Sequence, residues 1–382
     1  MKTVHLLFVT LLATSLSFAG CKKETPKPTE PVVVVENTKI QVALLIDTSN
    51  SMDGLIEQAK SRLWNIVNTL TTLKYDGKTP DIEISLYEYG NSGLSEKENY
   101  IKQITPLSTD LDLISEKLFA LRTNGGEEYC GAVIEDANKK LSWGKDNNNM
   151  KLIYICGNEG FDQGTVNYKE AISSALKNNI YVNTIFCGNQ EEGINSFWKN
   201  GADVGKGKFF NIDSNQIVQY VVTPYDDKIT KCNERINNTY INYGVQGYEK
   251  KANQAVQDKN AESVSTANYA ERVVSKSKKV YKNESWDLVD KMKDDKEAVK
   301  KIKKEDLPKE LQDKSTVELT KIVEDKAKER DEIQKEIGEL ARKRQEYIDV
   351  EAKKSNNTDD LGGAINASII SLAKTKGYTV VK

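Results

Sequence analysis

At 382 residues the chain is longer than one comfortable core, so two domains are expected. Its 55 Lys plus Arg against 57 Asp plus Glu leave a formal charge of -2, with no basic excess to hold a nucleic-acid backbone. The single histidine, His5, falls in the first twenty residues, a stretch read below as a cleaved leader, so the mature chain would have none. That excludes Ser-His-Asp and Cys-His nucleophilic sites, His-ligated zinc and His general-base catalysis, and leaves carboxylates, hydroxyls, amides and thiols.

Met1-Lys2, an apolar run from Leu6 to Phe18, and then Ala19-Gly20-Cys21 fit a positive start, a short hydrophobic region and small residues before a cut. The run is too short for a stable membrane span. Its end resembles the lipobox of bacterial lipoproteins, which implies acylation of Cys21, a signal peptide over residues 1–20, and a Pro-containing tether over 21–37. Lys22-Lys23-Glu24 resembles a surface-export tag of Bacteroidetes lipoproteins. The expected location is the cell envelope, at the outer membrane, on its periplasmic or its surface side. Export also places Cys130, Cys156, Cys187 and Cys232 in an oxidising compartment, where at least one disulfide among Cys130, Cys156 and Cys187 is expected, with Cys130 to Cys187 as the preferred pairing. None of the four has C-x-x-C spacing.

From residue 38 to 223, β-branched runs alternate with helical stretches. Ile40 to Ile46 is a near-continuous apolar run, as a strand buried on both faces requires. Leu55, Ala59, Leu63, Ile66, Val67 and Leu70 then recur at helical spacing. Further strands are read at Ile82 to Tyr87, Ile101 to Thr105, Leu152 to Cys156, Tyr181 to Phe186 and Lys208 to Ile212. Helices are read at Leu111 to Leu121, Gly131 to Leu141, Asn167 to Lys177 and Asn215 to Val222. The alternation predicts an α/β fold with a doubly wound, mostly parallel sheet and its ligand site outside the carboxyl ends of the strands. Residues 224–382 are charged with both signs and predict a mostly α-helical, coiled-coil-like region. There a stripe running from Leu319 through Ile333 and Ile337 to Ile348 suits a hairpin arm or self-association. A final helix over about Asp360 to Lys376 precedes a strand-like end, Tyr378 to Val381.

The chemistry concentrates at Asp47-Thr48-Ser49-Asn50-Ser51, which ends the first strand. In extended chain, side chains at alternate positions share a side, so Asp47, Ser49 and Ser51 can converge as a hard oxygen set for a divalent ion. The competing expectation for Ser51 is a plain helix N-cap.

This D-x-S-x-S run, with the strand order around it, resembles the von Willebrand factor type A (vWA) domain and its metal-ion-dependent adhesion site (MIDAS). The resemblance covers residues 38 to 222 and implies a Rossmann-like fold, a bound Mg²⁺ (or Ca²⁺ or Mn²⁺) and an adhesive role. Two further family positions depart from the pattern. The Gly-rich loop, Thr123-Asn124-Gly125-Gly126-Glu127-Glu128, offers Thr123, Glu127 or Glu128 where the family has Thr. The loop Gly157-Asn158-Glu159-Gly160 offers Asn158 or Glu159 where it has Asp. Together with Cys187-Gly188 and Asn238-Thr239-Tyr240, these features resemble a subgroup of bacterial envelope lipoproteins. With Asp47, Glu127, Glu128 and Glu159 near one edge, such a site would bind its ion unaided and repel a ligand carboxylate. The leading expectation is a non-enzymatic binding module that meets a protein partner at this face. The alternative is a structural or assembly protein acting through its C-terminal helices. An enzyme is disfavoured because no P-loop or second metal cluster is present.

Overall fold

In a computed structural model, the structure describes residues 37–352 and 361–381. The proposed leader, Cys21 and the tether as far as residue 36 lie outside them. Strand β1 (Lys39–Asp47) alternates its side chains between two cores. Ile40, Val42, Leu44 and Ile46 enter one, while Ala43 and Leu45 enter the other, as the two-residue period of a strand covered on both faces dictates. The long amphipathic α1 (Asp53–Thr71) follows, then a short β2 (Leu73–Lys74) and β3 (Asp81–Tyr89). Next come β4 (Ile101–Ser108), α2 (Leu111–Ala120), α3 (Cys130–Lys140), β5 (Met150–Gly157), α4 (Tyr168–Lys177) and β6 (Ile180–Cys187). Two short helices, α5 (Gln190–Asn195) and α6 (Trp198–Val204), lead to β7 (Lys206–Ile212).

The sheet order is β4-β3-β1-β5-β6-β7. All neighbours are parallel except the edge pair β3 and β4. Strand order reverses at β1, with β3 on one side and β5 on the other. In open α/β sheets ligands bind outside the carboxyl ends of the strands at such a switch point, which here falls after Asp47.

The helix expected over 215–222 does not form. Gln58 donates to the carbonyls of Asp213 and Gln216 at 2.7 and 3.2 Å and holds that segment as irregular chain, with Ile217 80% exposed. The sheet face beside α1 is covered instead by α13 (Leu361–Thr375), whose Ile365 and Ile369 join the core with Tyr154. The Tyr154 hydroxyl lies 2.6 Å from Ser368 Oγ. The chain then returns as β8 (Thr379–Val380), antiparallel to β2.

The expected boundary near residue 223 marks a change of composition, but packing runs across it, and Asn37–Lys382 forms one compact unit. Helices α7 (Asp226–Asn237) and α8 (Gly247–Val264) flank α9 (Thr266–Lys276), with α9 packed against α1 and α8 against α2. Beyond them lie α10 (Leu288–Asp294), α11 (Ala298–Lys301) and α12 (Thr316–Ala352). The inward stripe of α12 is Leu319, Val323, Arg330, Ile333, Ile337 and Arg344, and it meets α7, α9, α10 and α11 of the same chain. From Leu319 to Ile337 its apolar stripe therefore packs within the molecule.

Buried arginines pin this layer. Arg272 in α9 bonds Asp112 in α2 at 2.8 Å and Asp258 in α8 at 2.6 Å, and stacks over Trp64 of α1. Arg330 bonds Asp287 and Asp290, and Arg344 bonds Asp226. Removing one partner of such a group strands the other charge in low dielectric, which makes these contacts costly to break.

Candidate functional site at the switch point

Asp47 is fully buried where β1 ends. Its Oδ1 accepts the backbone N–H of Ser49 at 2.7 Å, while its Oδ2 has no partner. Ser49 Oγ lies 3.2 Å from Ser51 Oγ, and Ser51 Oγ lies 3.2 Å from the amide nitrogen of Asn158. The expected capping role for Ser51 is not adopted. Asn50–Met52 form a single 3-10 turn, α1 starts at Asp53, and the Ser51 hydroxyl faces Ser49 and Asn158. A residue that the helix does not need as a cap is free to serve the crevice.

Of the candidates in the Gly-rich loop, Glu128 is the one brought in. It is 5% exposed and its Oε2 also lacks a partner. Glu127 stays exposed, and Thr123 turns away to donate to Asp53 Oδ1 at 2.5 Å. Glu159 is exposed too, close enough for its charge to be felt by Asp47 and Glu128, while its backbone carbonyl accepts the indole N–H of Trp198 at 2.7 Å. Sequence alone could not choose among Thr123, Glu127 and Glu128, because nothing local shows which way a Gly-Gly loop rotates.

The supporting residues carry no sequence signal of their own. Gly90, at φ 77°, leaves room for two side chains, since a Cβ there would sit 2.7 Å from Glu128 Cγ and 2.9 Å from Asp47 Oδ1. Asn91 donates to the Arg122 carbonyl at 3.0 Å and braces the Gly-rich loop. Tyr89 closes the floor, donating to the Cys156 carbonyl at 2.9 Å.

Burial pushes the Asp47 carboxyl up to about 7 against the pull of its Ser49 hydrogen bonds, with Glu159 adding repulsion. Burial, followed by the charges of Asp47 and Glu159, pushes Glu128 up to about 8. The two carboxyls form a dyad that resists full ionisation. Two buried oxygens without partners, beside two hydroxyls and an amide, fit a hard cation and no softer one, because the set contains neither imidazole nor thiolate. The set holds two acids, and among the described residues no group of three or more His, Cys, Asp or Glu is poised for a metal.

The disulfide expectation is corrected. Cys130, Cys156, Cys187 and Cys232 are all free and buried. Cys130 packs with Tyr89 on the α3 face of the sheet, whereas Cys156 and Cys187 belong to the core on the opposite face, so the preferred Cys130 to Cys187 pairing would have to cross the sheet. Desolvation raises the Cys130 and Cys187 thiols well above their usual range, the condition of inert structural cysteines.

The strand order, with a D-x-S-x-S loop at the switch point, is the arrangement of a vWA domain, and residues 39–212 have that fold. The solved structures similar to the chain include a von Willebrand factor type A protein from Catenulispora acidiphila, at 16% identity and TM-score 0.35, covering 46% of this chain and 39% of that one. Another is an aerotolerance-related membrane protein from Bacteroides fragilis, at 18% identity and TM-score 0.32, covering 46% of this chain and 93% of that one. A third is proximal thread matrix protein 1 from the mussel byssus with a zinc-occupied MIDAS motif, at 14% identity and TM-score 0.35, covering 47% and 43%. No family model and no curated protein sequence matches the chain. No described helix is long and apolar enough to cross a membrane.

Proposed function

We propose that the protein is a non-enzymatic, divalent-cation-dependent binding module of the bacterial envelope, held by a lipidated Cys21 and meeting a protein partner at the carboxyl edge of the sheet. The observation that carries the reading is the pair of partnerless buried oxygens, Asp47 Oδ2 and Glu128 Oε2, beside the Ser49 and Ser51 hydroxyls. Asp47, Ser49, Ser51, Glu128 and Asn158 would hold Mg²⁺, with Ca²⁺ or Mn²⁺ as substitutes. A bound cation would neutralise the dyad and offer a coordination position to an oxygen of the partner. Because Asp47 and Glu128 already match a divalent charge and Glu159 adds a third acid nearby, the partner group best suited is a neutral oxygen or one flanked by basic residues. A further carboxylate at about 5 Å would be repelled by roughly 3 kcal/mol at an effective dielectric of 20.

Calorimetric titration of the protein with Mg²⁺, Mn²⁺ and Ca²⁺ tests the reading. Saturable binding that disappears in Asp47→Ala is expected. Absence of heat with all three ions at millimolar concentration would defeat the metal-dependent reading and leave a vWA fold working through ordinary surface contacts. Mass spectrometry of membrane-extracted protein tests the anchor, with an acylated Cys21 as the expected first residue and an unmodified start elsewhere as the refuting result.

A further inference from the structure

At the pole opposite Asp47, where β1 begins, a cleft of about 800 Å³ opens between β2, the turn into β3 and the loop after α9. Asn37, the first described residue, lines it together with Lys74, Lys78, Lys278, Lys279 and Lys282. Asp81 is the one acid in that lining, and Lys282 takes it at 2.5 Å. No acid pairs with the other four lysines among the described residues, and Lys74 spends one proton on the Thr79 hydroxyl. Lys278 is half-buried, and its ammonium is driven down by desolvation first and by the charge of Lys74 second. The fold thus holds two lysines against each other in a concave site with no acid between them among the described residues.

The backbone offsets part of this charge. Helices α1 and α9 both end at this pole, at Thr71 and Lys276, and each carboxyl end contributes about half a negative charge. That balances roughly one of the four lysines and leaves about three positive charges facing the cleft. The nearby hydroxyls are committed elsewhere, since Thr71, Thr72 and Ser277 donate to carbonyls of their own helices at 2.7, 2.8 and 2.7 Å. A ligand here is therefore met mainly by ammonium donors, with the Thr79 hydroxyl and the Asn37 amide beside them, which calls for a compact, multiply charged group rich in acceptors.

We propose that this cleft binds a phosphate-type oxyanion, carried by a free phosphate compound or by the headgroup of an anionic lipid. The site is independent of the cation site, which lies at the other end of β1, roughly 25 Å away along the strand.

The test uses the full chain with Cys21→Ser, so that no acyl group contributes to membrane binding. The probes are inorganic phosphate and pyrophosphate by calorimetry, and sedimentation with phosphatidylcholine vesicles with and without phosphatidylglycerol. Saturable binding to pyrophosphate or to the phosphatidylglycerol vesicles is expected. It should weaken at least about tenfold in Lys74→Ala/Lys278→Ala and be unchanged in Lys199→Ala, whose lysine sits on α6 paired with Asp203. The double variant removes a repulsive pair, so its Tm should hold or rise, and Lys279→Glu gives a second variant expected to lose binding. Binding of pyrophosphate without vesicles identifies a free phosphate ligand, and vesicle binding without pyrophosphate identifies a lipid. Binding of none of the probes, or equal weakening in Lys199→Ala, overturns the proposal.

Discussion

The buried dyad predicts that removing the central carboxylate makes the metal-free protein more stable. In Asp47→Asn the carbonyl oxygen still accepts from the Ser49 N–H, which lies 2.7 Å from Oδ1 in the native site. The new amide can donate to the partnerless Oε2 of Glu128. The native carboxyl titrates near 3.8 in the unfolded chain and at about 7 in the fold. A folded value raised above the unfolded one means the native state binds more protons between those limits, so stability is lost as pH climbs through that window. Near pH 8 the ionised group costs on the order of 4 kcal/mol, less whatever the site relaxes. Urea unfolding in chelator should therefore show Asp47→Asn about 2 to 4 kcal/mol more stable than the native chain near pH 8, with the gap closing near pH 4. Saturating Mg²⁺ should close most of the gap, raising the native chain by about 2.7 kcal/mol at a hundredfold excess over Kd and leaving the variant unmoved. A variant equal to or weaker than the native chain in chelator near pH 8 would refute the argument that Asp47 is held charged against its environment.

The remaining predictions separate neighbouring residues. Glu128→Gln should lower divalent affinity at least about tenfold through loss of a charged ligand, whereas Glu127→Gln, at an exposed position, should change it slightly and in a salt-dependent way, as comparative titration would show. Equal effects would contradict the assignment of Glu128. Arg272→Met leaves Asp112 without its buried cation and should cost about 3 to 5 kcal/mol, seen as a lowered urea midpoint, with a cost under about 1 kcal/mol contradicting the pinning role. Thiol counting on denatured, unreduced protein should find Cys130, Cys156, Cys187 and Cys232 all reactive, and two missing thiols would restore a disulfide.

Much of the architecture is legible in the chain because it rests on local rules. The near-continuous apolar run of β1 reads as a strand covered on both faces, and the 3.6-residue spacing from Leu55 to Leu70 reads as one buried side of a helix. Asp47, Ser49 and Ser51 are likewise bound together by spacing, since they share one loop. The failures all involve residues far apart in sequence. A helix over 215–222 was a fair reading of composition, but Gln58 claims its carbonyls and α13, some 150 residues later, covers the sheet. The α12 stripe reads as a coiled-coil seam, because a one-dimensional pattern cannot say whether its partner is another chain or α7 and α10 of its own. Cys130 falls on the face opposite Cys156 and Cys187 once β5, β6 and α3 are packed. The choice of Glu128 over Glu127 and Thr123 needed the rotation of the Gly-Gly loop against Gly90, and the basic cleft needed two helix ends 205 residues apart, at Thr71 and Lys276, to meet. Sequence determined which segments bury which face and which loop carries oxygen ligands. Tertiary structure decided which charges end up without partners, because desolvation and pairing depend on what other segments bring alongside.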